Sequence, residues 1–86
     1  ARDWESAYFI HTMAVDTPGV VAKDATILSE CGVSIEAVMQ KGEREEGKVP
    51  VVFVTHRTHE SACMKAIERI KQMPEISEVS IIRVEK

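Results

Sequence analysis

The stretch AVDTPGVVAKDATIL, residues 14–28, gathers the side chains of this chain best placed to do chemistry. Asp16 and Thr17 end an apolar run, Pro18 and Gly19 form a tight turn, and a helical pattern starts at Val20. The first N–H groups of a helix lack intrahelical acceptors and lie at the positive end of its dipole, so they suit a carboxylate. Gly19 lets a small ligand or another backbone approach closely. Asp16, at the strand end, can accept hydrogen bonds from an ammonium group. A free amino acid carries both of those charges. Plain capping uses the same residues, with Asp16 or Thr17 satisfying the helix's own N–H groups. The residue types leave these two uses level. Asp24 poses a separate question, because it stands where the next helical turn should be apolar.

No other constellation supports catalysis or metal binding. His11, His56 and His59 are scattered, and their spacing to Cys63 is not one that zinc sites use. Cys31 and Cys63 have no CxxC partner and read as two buried small thiols. Gly19 has no GxGxxG companions, and neither a GxSxG nor a Walker pattern occurs. Glu43, Glu45 and Glu46 alternate with Arg44 and Lys48 in a loop, which reads as a solubility feature rather than a carboxylate dyad. No catalytic residue, metal or cofactor is expected in this chain.

The elements that must hold the turn follow from periodicity. AYFIHTMAV, residues 7–15, is strand-like. The apolar positions Val20, Val21, Ile27, Leu28 and Cys31 form a helical stripe, which Gly32 stops as a C′ glycine. VSIEAVMQK, residues 33–41, alternates as a half-buried strand with Val33, Ile35, Ala37 and Met39 on one side. GEREEGK, residues 42–48, is a solvated hairpin loop. VPVVFVTH, residues 49–56, is the most β-rich segment, and Pro50 argues for an edge strand or for a strand's first residues. Thr58 can cap a second helix over 59–73 with the stripe Cys63, Ala66, Ile67, Ile70 and Met73, closed by Pro74. EVSIIRVE, residues 78–85, is a last strand. This β-α-β-β-α-β order predicts an α+β, ferredoxin-like sandwich, with a four-stranded antiparallel sheet carrying two helices on one face.

At 86 residues the chain is one domain with a modest core. Its net charge of −3 gives no attraction to nucleic acid or an anionic membrane. RNA-binding modules share this element order but stack bases on aromatics of strands 1 and 3. Here those strands offer only Tyr8, Phe9 and Phe53, without the glycine-aromatic signature. No signal-peptide pattern opens the chain and no apolar run reaches bilayer length, so a cytoplasmic location is expected. The start at Ala1 suggests a processed or excised piece, with 1–6 as a linker from an absent upstream region and 7–86 as the domain.

VDTPGVVAKDATILSECGVSIEAVMQK, followed by VPVVFVTH, resembles the ACT domain at the C-terminus of monofunctional homoserine dehydrogenase. Asp16, Pro18, Gly19, Val20, Gly32, Val33, Ser34 and Ile35 match the hallmark shared by many ACT domains. The stretches S-I-E-x-V-x-Q-K at 34–41 and V-P-x-V-x-V-T-H at 49–56 are closer to homoserine dehydrogenase than to the phosphoglycerate dehydrogenase, prephenate dehydratase or acetolactate synthase versions. The resemblance implies a regulatory domain that pairs side by side into one eight-stranded sheet and binds an amino acid near the first turn. It implies upstream catalytic domains that reduce aspartate semialdehyde to homoserine with NAD(P)H, on the route to threonine and methionine. Threonine is the implied feedback inhibitor. By position, the effector-binding residues would be Asp16, Thr17, Pro18, Gly19 and Val20, with Gln40 reaching across from a partner. Two alternatives stand beside this: an assembly module that has lost its ligand, and the ACT domain of another enzyme of amino-acid metabolism.

Asp24 departs from the family, in which this position is normally Ile or Leu. On the stripe Val20-Asp24-Ile27-Leu28-Cys31 it points toward the sheet, where an unpaired carboxylate is costly. It lies at a wet helix edge, pairs with a Lys, Arg or His, or faces the ligand cleft. Thr12 and Ala14 are likewise smaller or more polar than the usual Leu and Val, which would loosen the core or enlarge a cavity.

Overall fold

β1 (Glu5–Val15) sits between β3 (Lys48–Thr55) and β5 (Ile76–Val84), antiparallel to both. The computed structural model describes residues 5–15, 19–40, 42 and 46–84. Asp16, Thr17 and Pro18 of the turn, and Glu43, Arg44 and Glu45 of the loop, lie outside the described residues. Alternation along β1 sorts its side chains. Tyr8, Ile10, Thr12 and Ala14 are buried, whereas Phe9, His11, Met13 and Val15 are half-buried. β2 (Ile35–Gln40) pairs antiparallel with the far side of β3, giving the sheet order β2-β3-β1-β5.

α1 (Val20–Glu30) and α2 (Glu60–Lys71) cover one face of this sheet. Val20 and Leu28 of α1 and Cys63, Ala66, Ile67 and Ile70 of α2 share a core with Ile10, Ala14, Val49, Val51 and Phe53. The architecture is the expected antiparallel sheet with two helices on one face. A two-residue strand not anticipated from sequence, β4 (Thr58–His59), pairs with Glu5 and Ser6 of β1. It continues the β3 side of β1 past His56 and Arg57, with the register moved by one residue, so one extra residue is accommodated there. Arg57 donates to the Glu5 carbonyl at 3.2 Å, fastening this offset.

Several local expectations change. Pro50 lies near the start of β3, but β3 is an internal strand, so the edge alternative does not hold. Thr58 is buried in β4 and is not the cap of α2; His59 holds that position, without a side-chain cap bond. The alternation expected over 33–41 breaks at Glu36, where the β2–β3 register slips. Ile35 therefore pairs with buried Thr55 on the helix side, while Ala37 and Met39 pair with Val54 and Val52 on the open face. Val38 is left 45% exposed opposite Phe53 on the edge strand. Val21 is also exposed, and Asp24 takes the buried place in the α1 stripe. Of the two thiols, Cys63 is buried and Cys31 only half-buried.

The end of α1 behaves as the glycine predicts. Gly32 has φ +83°, Val33 N–H donates to the Leu28 carbonyl at 2.8 Å, and Gly32 N–H donates to the Ser29 carbonyl at 3.0 Å. This paired arrangement satisfies carbonyls that the helix end would otherwise leave open.

Thr55 shows how the core handles a polar group. It is fully buried, and its Oγ1 accepts the Tyr8 backbone N–H at 3.0 Å where the β1 ladder passes from β3 to β4. Thr55→Val keeps the shape and removes that acceptor, leaving a buried N–H unsatisfied. The substitution is expected to cost about 1–3 kcal/mol of unfolding free energy. Urea unfolding of the two proteins side by side measures it, and Thr55→Ser should recover part of the loss.

Candidate functional site

The β1–α1 junction is built from the end of a central strand and the start of a helix. Gly19 is the N-cap of α1 at φ +90°, a conformation that disfavours any residue with a Cβ. A Cβ placed on Gly19 would meet no atom within 4 Å, so the space beside this glycine is open. Gly19 itself has no side chain to cap the helix, and its carbonyl accepts the first helical bond from Lys23 N–H at 2.9 Å. Val20 is buried in the core beneath.

Gln40 ends β2 at the same end of the sheet. Pairing aligns Gln40 with Val51, Val51 with Thr12, and Thr12 with Val79 in one row across four strands. Members of such a row point to the same face, here the helix side. Gln40 thus lies two strand spacings from Thr12, about 10 Å. Among the described residues, the structure therefore places Gly19, Val20 and Gln40 at one end of the sheet.

Asp24 is 0% exposed, and neither carboxylate oxygen has a hydrogen-bond partner among the described residues. The wet-edge alternative is overturned, and no Lys, Arg or His among those residues pairs with it. The side-chain donors of Lys23, Thr26 and Thr12 are engaged elsewhere. Lys23 Nζ donates to Glu75 Oε2 at 2.8 Å, Thr26 donates to the Ala22 carbonyl, and Thr12 Oγ1 donates to the Val51 carbonyl. Burial pushes the Asp24 carboxyl up to about 6, and the Glu75 charge adds to the rise. The Lys23 ammonium holds Glu75 itself below the usual carboxylate range. Lys23 and Glu75 were not anticipated from sequence. They stand 52 positions apart, and only the fold brings the segment between α2 and β5 against α1.

A separate concavity lies against the helices. A groove of about 640 Å³ runs between α1 and the end of α2, lined by Lys23, Ile27, Glu30, Arg69, Met73 and Glu75. Its charges are matched in pairs, Lys23 with Glu75 and Arg69 with Glu30 at 2.6 Å. Neither Gly19 nor Gln40 lines it. His56 and His59 are both exposed, and no group of three or more metal-ligating side chains occurs among the described residues. No helix among them is long and apolar enough to cross a membrane.

The fold is that of an ACT domain. The ACT domain of a GTP pyrophosphokinase from Chlorobium tepidum superposes with a TM-score of 0.72 over 92% of this chain at 9% identity, which speaks to fold alone. The sequence points more narrowly, to the C-terminal region of homoserine dehydrogenases. The Pseudomonas aeruginosa homoserine dehydrogenase is 46% identical over 84 residues, covering 95% of this chain and 19% of that protein. The Methylobacillus glycogenes homoserine dehydrogenase is 39% identical over 94% of this chain and 20% of its own length. The crystal structure of a Thiobacillus denitrificans homoserine dehydrogenase matches at TM-score 0.85 and 30% identity, over 96% of this chain and 18% of that one. The chain thus spans about a fifth of the relatives it matches. No family model matches it.

Asp24 makes the stability of this domain depend on pH in a direction opposite to the usual acid denaturation. Unfolded, its carboxyl titrates near 3.8; folded, near 6. Between those values the folded state holds the extra proton, so the contribution is most favourable below pH 4 and declines as pH rises through 6. At neutral pH the ionised group costs roughly 3 kcal/mol, since each tenfold change in proton affinity is worth about 1.4 kcal/mol. Asp24→Leu is expected to raise stability at pH 7.5 much more than at pH 4.5. Denaturant unfolding of both proteins at the two pH values measures it; an equal effect at both would mean that the Asp24 carboxyl has the same proton affinity folded and unfolded.

Proposed function

We propose that this chain is the regulatory, amino-acid-binding domain of a homoserine dehydrogenase, with threonine as its effector. One observation carries the reading. Similarity is confined to the C-terminal fifth of homoserine dehydrogenases and spans nearly the whole of this chain. The remaining four-fifths of such an enzyme would hold the NAD(P)H-dependent reduction of aspartate semialdehyde. This domain would feel the end product and transmit its presence.

The chemistry of the junction supports the same assignment. The start of α1, opened by Gly19, presents unsatisfied N–H groups to the ligand carboxylate. Asp16 would receive the ammonium group, with Thr17 and Pro18 next to it in sequence. Val20 closes the floor. Gln40 is carried to the same end of the sheet by its row with Val51 and Thr12. Two copies would join edge to edge, because β2 and β5 each have one unpaired side among the described strands.

A ligand that binds only the folded state raises its stability by RT ln(1 + L/Kd), where L is the free ligand concentration. At a hundredfold excess over Kd the gain is about 2.7 kcal/mol, which raises Tm by roughly 10 °C or more in a domain this small. Titration of the 86-residue chain with L-threonine in a thermal-shift assay is expected to show that rise, and Asp16→Ala to abolish it. A dimer in light scattering whose Tm no amino acid moves would instead identify an assembly module.

A further inference from the structure

Within that reading, we propose that Asp24 determines specificity by demanding an effector whose side chain donates a hydrogen bond. The α-carboxylate and α-ammonium of a bound amino acid are met by the start of α1 and by Asp16, which leaves the side chain to be recognised. Asp24 lies one helical turn beyond Val20, on the same buried stripe. Both of its oxygens are buried and without a partner among the described residues, and the donors of Thr12, Lys23 and Thr26 are committed elsewhere. A buried acceptor in that state is costly, and the cost is recovered only when a donor arrives. A hydroxyl or an amine on the ligand supplies one. An alkyl side chain of the same shape does not, and would keep the carboxylate unsatisfied in the complex.

Access to Asp24 requires movement, since the residue has no exposed surface. The Glu75 segment is held to β1 by Val15 N–H on the Glu75 carbonyl at 2.9 Å. Its tie to α1 is the Lys23–Glu75 ion pair, whose lysine is 62% exposed and which therefore contributes little. A ligand therefore reaches Asp24 only if the first turn of α1, which begins at Gly19 and carries the buried Val20, is displaced as it binds.

Threonine and valine differ by a hydroxyl against a methyl at nearly constant shape, so they test this directly. Calorimetric titration of the 86-residue chain with L-threonine, L-valine and L-lysine should give threonine or lysine a Kd at least about tenfold below that of valine. Preferences of this size and larger arise where a buried polar group is left unpaired. A threonine preference identifies a hydroxyl and a lysine preference an amine; both support the proposal. Asp24→Leu should bring valine to within about twofold of the best ligand. Asp24→Asn keeps an acceptor oxygen and should retain a reduced preference, which guards against a Leu variant that repacks the junction. Wild-type protein that binds valine as tightly as threonine and lysine overturns the proposal and leaves amino-acid binding standing. Wild-type protein that binds none of the three overturns both.

Discussion

β1 is paired along most of its length on both flanks, and the rest of the molecule is arranged around that constraint. With β3 on one side and β5 on the other, its backbone donors and acceptors are consumed by strands far away in sequence. Its side chains must then divide between two faces. Tyr8, Ile10, Thr12 and Ala14 go to the helices, and Phe9, His11 and Met13 to the open face. A strand held so firmly can end only where its ladder ends, and the candidate ligand turn begins there. The Val15 N–H bond to the Glu75 carbonyl marks the last of that pairing. The position of the turn is thus a consequence of sheet register.

The sequence is easiest to read where local chemistry and tertiary packing agree. Gly32 ends α1 with the paired bonds a C′ glycine makes, and the stripe Cys63, Ala66, Ile67 and Ile70 packs into the core as its spacing requires. Reading fails where one residue changes the phase. The slip at Glu36 sends Ile35 and Ala37 to opposite faces, although strict alternation puts them together. β4 escapes notice because two residues carry no periodicity; only the offset at His56 and Arg57 reveals it. Of the site, Gly19 and Val20 are legible from residue type. The Lys23–Glu75 pair is not, since no local pattern relates residues that the fold alone joins.

Asp24 occupies a buried place on the stripe that holds α1 to the sheet. Its neighbours Val20 and Leu28 still anchor the helix. Small-domain stability is a narrow margin between large terms, so a buried charge on this scale persists only if something offsets it. Asp24, buried without a donor and facing the Glu75 charge, leaves stability to be gained at this position. On the proposed reading, a bound donor would return the stability that the unsatisfied carboxylate withholds.

The placement of β5 has a further consequence for how the chain is made. β1 emerges first in this sequence, yet one flank of it waits for the final strand, Ile76–Val84. During synthesis the helices and the β1–β3 ladder can assemble, but a strand edge of β1 stays open until β5 has been made. Such edges invite pairing with other chains. Losing a few residues from β5 would therefore do more than shorten the domain: it would return β1 to the status of an exposed edge and expose the nascent protein to the cell's quality control.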